Sequence, residues 1–282
     1  MKKSAILLVS CPDRKGIVAT VADFLYKHNA NILHADEHID ADFNLFFLRV
    51  EWDLTDFDLP RDQFVDTFNP IAKKFQMEWR VEYSQDIQKV AIFVSQELHC
   101  LEDLLYRYRS GELKCDISLI ISNHSHANEY AEFSHVPFFE ISHTDKVTAE
   151  EKITQLLNKN NVDLIILARY MQILSPMFVK KYSNRVINIH HSFLPAFVGA
   201  RPYHQAHERG VKIIGATSHY VTESLDQGPI IEQDVIRVSH RDAVADLIQK
   251  GKDLEKIVLS RAVRWHLENK ILTYANKTVI FD

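Results

Sequence analysis

The order of apolar segments predicts an α/β fold in two parts. Between residues 4 and 84, strand-like and helix-like patterns follow one another as βαββαβ. Beyond a polar stretch at residues 84–88, continuous apolar runs alternate with helical patterns, which is how strands buried on both faces of a parallel sheet read. A length of 282 residues also suits one large or two small domains, each with a full core. We therefore expect a ferredoxin-like unit over residues 1–84 and a Rossmann-like domain with a mostly parallel sheet over residues 85–282.

In the first unit, residues 5–10 form a strand and residues 11–16 a loop. The helix that follows, 17–28, carries Val18, Val21, Ala22 and Leu25 on one face. Strands at 31–39 and 45–54 come next, and Pro60 opens a second helix with Phe64, Phe68, Ile71 and Phe75 at helical spacing. Residues 77–83 close the unit. His34 and His38 would share a face on a helix, but on this strand they stand about 13 Å apart, too far to hold one ion.

In the second domain, strands are expected at 90–94, 117–121, 137–141, 162–168 and 186–189. Helices are expected at 101–109, 128–133 and 149–159, with a short one after Ser175-Pro176. Strands at 211–221 and 230–238 flank a turn marked by Gly228 and Pro229. A helix at 243–250 is separated by Gly251 from another at 254–269, and 278–281 forms a last strand.

Composition narrows the function. A formal charge of −5 and a pI near 6.3 give no sign of a nucleic-acid surface. No apolar run reaches the roughly 20 residues of a membrane span, and residues 5–9 are too short for a signal-peptide core. Three cysteines without CxxC spacing suggest reduced thiols and a cytoplasmic location. Of only seven glycines, four (Gly199, Gly210, Gly215 and Gly228) fall within residues 186–235, where backbone shape is expected to demand them.

That stretch also holds the candidate chemistry. Asn188 and His190, two apart on a strand, point to one face; His219 lies in a second strand and Asp226 in the following turn. Asn188 can donate to a developing oxyanion, a protonated His190 can do the same or give its proton to a leaving amine, and Asp226 can accept from an imidazole or a nucleophile. Taken singly, the Asn caps loops, the histidines satisfy a core and the Asp makes a turn equally well. Together they suit attack on a carbonyl carbon. No HExxH occurs, and His190-His191 followed by His204 and His207 fits no usual zinc spacing, so a metal-free site is expected.

The segments Asn188-Ile189-His190, Ser192-Phe193-Leu194-Pro195, Gly199, His204-Gln205-Ala206, Gly215-Ala216-Thr217-Ser218-His219 and Leu225-Asp226-Gln227-Gly228-Pro229 resemble the signature of enzymes that use 10-formyltetrahydrofolate, as formyltransferases or as hydrolases. The resemblance implies a catalytic set of Asn188, His190 and Asp226, with His219 beside the reacting formyl group. Residues 168–174 are similar to the segment that holds the pterin ring, which makes Met171, Gln172, Ile173 and Leu174 folate-binding candidates. Arg201, beside a loop, is a candidate for the anionic tail. Residues 11–18 with Asn31-Ile32 resemble the start of an ACT domain, a small fold that commonly binds amino acids. An amino-acid effector would then meet Asp13, Gly16 and Asn31. Such units often pair edge to edge, so a homo-oligomer, dimer or tetramer, is expected.

Residues 94–101 lack the Gly-containing phosphate loop of phosphoribosylglycinamide formyltransferases, which argues against a phosphorylated acceptor. An ACT-like unit ahead of a formyl-handling domain resembles the formyltetrahydrofolate deformylases, and that resemblance implies water as acceptor, with formate and tetrahydrofolate as products. Such an activity would supply formate for purine synthesis and balance the one-carbon folate pool. The folate is then the substrate and no cofactor is needed. Two alternatives stay open: a formyltransferase acting on a small amine, and a non-catalytic amino-acid sensor.

Overall fold

In the computed structural model, which describes residues 3–196 and 201–282, the chain divides into two units. The first takes the chain through Ile87 together with Glu268–Leu272 and Val279–Asp282; the second holds Gln88–Leu267 and Thr273–Thr278.

In the first unit, strand β1 (Ser4–Pro12) leads into helix α1 (Ile17–Lys27), strands β2 (Asn31–Asp40) and β3 (Leu45–Asp53), helix α2 (Arg61–Phe75) and strand β4 (Glu78–Tyr83). The sheet order is β2-β3-β1-β4, all antiparallel. Pro60, with no N–H to leave unpaired, stands at the N-cap of α2, and Phe64, Phe68, Ala72 and Phe75, spaced by three or four residues, bury one helix face. Phe64 and Phe68 meet Trp52, Phe24 and Trp79 in an aromatic core, with ring centroids 4.7–6.1 Å apart.

The second unit runs β5 (Lys89–Val94), α3 (His99–Arg109), β6 (Asp116–Ser122), α4 (Asn128–Phe133), β7 (Phe138–Glu140), α5 (Lys146–Lys159), β8 (Leu164–Leu167), α6 (Pro176–Lys181), β9 (Val186–His190), α7 (Pro202–Glu208), β10 (Ile213–Tyr220), β11 (Ile230–Arg237) and α8 (Val244–Leu267). Its seven strands lie in the order β11-β10-β9-β8-β5-β6-β7, with β9, β8, β5, β6 and β7 parallel and β10 and β11 antiparallel. From β5 the chain winds outward through β6 and β7, then restarts at β8 on the other side. This reversal leaves a crevice at the carboxyl ends of β5 and β8, where such sheets bind ligands.

Three features differ from the sequence expectation. α8 runs unbroken through Gly251, where two helices are expected. A glycine in a helix weakens it without ending it, and buried Leu247, Leu254, Val258 and Leu259 hold the helix on both sides. At the C-terminus, β12 (Ile271–Tyr274), a stretch to which the sequence reading assigns no element, pairs with β13 (Lys277–Ile280) around Ala275 and Asn276 at positive φ. Within the first unit, Arg49 Nε and Arg80 Nη2 each donate at 3.0 Å to the carbonyls of Asn269 and Ile271. These bonds group Glu268–Leu272 with the first unit, whereas the sequence reading places all of 85–282 in the second.

Candidate active site

The pleat of β9 turns Asn188 and His190 to the same face. β10 runs antiparallel to it and sets His219 opposite Asn188, with Nδ2 of Asn188 and Nε2 of His219 3.2 Å apart. The turn after β10 delivers Asp226, whose Oδ2 lies 3.3 Å from His190 Nδ1 and Oδ1 3.8 Å from His219 Nε2. Asp226 sits at φ 55°, a left-handed conformation that Asp tolerates better than most residues. Gly228 lets this turn close on β10, since a Cβ there would stand 1.7 Å from the Tyr220 carbonyl oxygen.

The charges follow from these contacts. The hydrogen bond from His190 holds the Asp226 carboxyl below its ordinary range, against the opposing effect of burial. Burial holds His219 below the usual imidazole range, only partly offset by its bond to Tyr220 and the charge of Asp226. Nδ1 of His219 must carry a proton, because it faces the Tyr220 carbonyl at 2.9 Å and a carbonyl only accepts. His190 Nε2 is buried and has no hydrogen-bond partner among the described residues.

These four side chains line a cavity of about 650 Å³. Met171, Gln172, Ile173 and Leu174, on the segment after β8, share its wall, as does Arg201 at the start of α7. Met171 and Ile173 are well exposed and Leu174 is buried, and together they give the cavity an apolar wall; its volume is of the size small-molecule sites use. The catalytic and folate-binding candidates are thus brought together. Gly199 of the quoted motif lies outside the described residues.

The effector candidates are not brought together within one chain. Asp13 and Gly16 follow the end of β1 that pairs with Leu45, whereas Asn31 faces Asp53 at the other end of β3. Strand length puts the two positions about 26 Å apart, so one small ligand cannot touch both.

Sequence reasoning missed Arg169, His191, Tyr203 and Glu255, which also line the cavity. Far apart in the chain, they carry no common spacing; Arg169 stands inside the quoted 168–174 segment, and His191 lies between two quoted segments. Among the described residues one group, His99, Cys100 and Glu255, has potential metal-ligand atoms within 4.8 Å of one another. Both Glu255 oxygens already face protein partners, and burial pushes the Cys100 thiol well above its usual range, away from the thiolate a metal would need.

Both parts of the chain match known families. Residues 88–263 match the Formyl transferase family and residues 5–51 the ACT domain. A formyltetrahydrofolate deformylase of Synechocystis sp. is 52% identical over 99% of this chain and 98% of its own. The chain belongs to the formyltetrahydrofolate deformylase family. The crystal structure of a deformylase from Pseudomonas syringae pv. tomato superposes with a TM-score of 0.97 at 48% identity, covering all of this chain and 95% of that one. Glycinamide ribonucleotide transformylase 1 from Symbiobacterium toebii is more distant: TM-score 0.67, 28% identity, 71% of this chain and 97% of its own. The sequence reading of family and fold is borne out. Where a Gly-containing loop is missing after β5, Ser95 instead links two strand ends: its N–H donates to the Arg169 carbonyl at 3.2 Å and its Oγ accepts from Met171 N–H at 3.0 Å.

Proposed function

We propose that this chain hydrolyses the N10-formyl group of 10-formyltetrahydrofolate, giving formate and tetrahydrofolate. The observation that carries this is the convergence of Asn188, His190 and Asp226 on one cavity in a chain that matches deformylases end to end. His190 donates its Nδ1–H to the Asp226 carboxylate, which leaves the unpartnered Nε2 as the basic ring nitrogen. It takes a proton from water as the water oxygen bonds to the formyl carbon. Asn188 steadies the resulting oxyanion, and the proton returns to N10 as the C–N10 bond breaks. The folate lies against the Met171–Leu174 wall with its anionic tail toward Arg201. No cofactor enters the step.

Purified protein given 10-formyltetrahydrofolate alone should release formate and tetrahydrofolate in equal amounts. A requirement for an amine, with a formylated amine as product, would replace the hydrolase by a transferase. No turnover at any pH between 6 and 9 would return the sensor reading.

The same proposal includes assembly through the first unit. β2 is an edge strand almost wholly exposed along its length, with Ile32, Leu33 and Ile39 in solvent. Long exposed edges of this kind are sites of pairing. A second copy paired antiparallel along β2 would lay Asn31 near the partner's Asp40 end, which is also the end of the Asp13–Gly16 loop. An amino-acid effector then has a site built from two copies. Ile39→Asp should convert a dimer or tetramer to a smaller particle, as read by sedimentation; an unchanged mass would remove pairing along β2. Three free thiols support a cytoplasmic location, and no helix among the described residues is long and apolar enough to cross a membrane.

A further inference from the structure

Behind His190 lies a buried charge cluster that the proposed step does not use. Glu255, on α8, is 1% exposed. Its Oε1 accepts from the Tyr203 hydroxyl at 2.6 Å, and its Oε2 stands 2.8 Å from His99 Nε2 and 3.5 Å from Arg169 Nε. Nη1 of Arg169 donates to Nδ1 of His191. The His191 ring in turn stacks on that of His190, with centroids 5.3 Å apart and planes inclined by 19°. A continuous chain thus runs from Glu255 through Arg169 and His191 to the catalytic imidazole.

Three unfavourable local choices serve this chain. Arg169 is held at φ 63°, a conformation side chains other than Gly seldom adopt. Gly251 sits inside α8, where it weakens the helix, and a Cβ there would stand 2.1 Å from the Tyr203 hydroxyl oxygen. Glu255 is a carboxylate almost without solvent, which is costly unless fully paired. Convergence of all three on one network marks it as built for a purpose.

We propose that Arg169, anchored by Glu255, is a positioning residue for the hydrolysis: it fixes His191 as an uncharged plate against His190. A guanidinium has only donors, so the Nδ1 it meets must present a lone pair. The plate backs the His190 ring and leaves His190 alone to take up charge during turnover. Burial, then the Arg169 charge, push the His191 imidazole down to about 4, against Glu255 and Asp226. The groups facing His191 are Arg169 after β8, neighbouring His190, Tyr203 of α7, Asp226 from the turn after β10, and Glu255 of α8.

This inference rests on the hydrolase reading, and formate release by the parent protein at pH 8 tests that reading separately. Arg169→Met removes the donor and leaves Glu255 without its guanidinium, so His191 becomes free to take a proton. A charge there opposes the one His190 must gain. The ratio of variant to parent kcat/KM for 10-formyltetrahydrofolate should fall about tenfold between pH 8 and pH 5.5. In Arg169→Met/His191→Phe, where the plate cannot ionise, the ratio should stay flat. A flat ratio in the single variant, at any absolute level, overturns the proposal, and so does a fall that survives in the double variant. Independently of those variants, imidazole nitrogen NMR of the parent, with His191 assigned by its loss in His191→Phe, should show an unprotonated Nδ1 from pH 5.5 to 8. Titration of that signal in this range also overturns it.

Discussion

Asp226→Asn should lower kcat by about 10²–10⁴-fold with little change in KM for the folate. The carboxylate does its work through His190: its Oδ2 accepts a hydrogen bond from Nδ1–H at 3.3 Å and so fixes which ring nitrogen stays unprotonated. An Asn amide can turn its NH2 toward Nδ1 instead, which moves the imidazole proton to Nε2 and removes the base. Because the hydrogen bond from His190 depresses the Asp226 pKa, the parent carboxylate is ionised throughout pH 6–9. The deficit of the variant should therefore be flat over that window where Asp226 itself is concerned. The same shift has a stability consequence. A depressed folded pKa stabilises the fold above the ordinary carboxylate pKa of about 3.9, and this contribution is lost as pH falls through the lowered value. Steady-state rates across pH 6–9 check the kinetic claim, and a kcat close to the parent's would take Asp226 out of the mechanism.

What could be read from the sequence follows what repeats locally. The central strands were legible because burial on both faces leaves an unbroken apolar run, as in the Val90–Val94 stretch of β5, buried throughout. Asn188 and His190 were legible as a pair because a strand has period two, and Asp226 because Gly228 and Pro229 announce a turn. α8 was misjudged at Gly251, since the reason for that glycine is the Tyr203 hydroxyl, which arrives from 48 residues earlier in the chain (251 − 203). The Glu255 network was invisible for the same cause: its members meet only after the sheet has wound, and a lone Glu on a helix reads as solvated surface. The effector set failed on a different point. Asp13, Gly16 and Asn31 are close in sequence, but an intervening helix carries the chain back to the opposite end of the sheet.

Asn188→Ala should lower kcat by about 10²–10³, the loss expected when one oxyanion donor is removed. The orientation of the amide follows from its neighbour. His219 spends its Nδ1 proton on the Tyr220 carbonyl, and burial keeps the ring neutral, so Nε2 is left as an acceptor. The Asn188 amide must then present its nitrogen, not its oxygen, to His219 at 3.2 Å. One N–H is used there, and the second, with no partner among the described residues, is placed to meet negative charge forming on the formyl oxygen. The oxygen carries little charge in the bound folate and nearly a full charge in the tetrahedral intermediate, so the interaction strengthens as the reaction proceeds. Loss of the amide should therefore appear in kcat and in kcat/KM by similar factors, with KM near that of the parent. A variant whose kcat holds while KM rises would show that Asn188 binds the ground state, and the oxyanion would then need another donor.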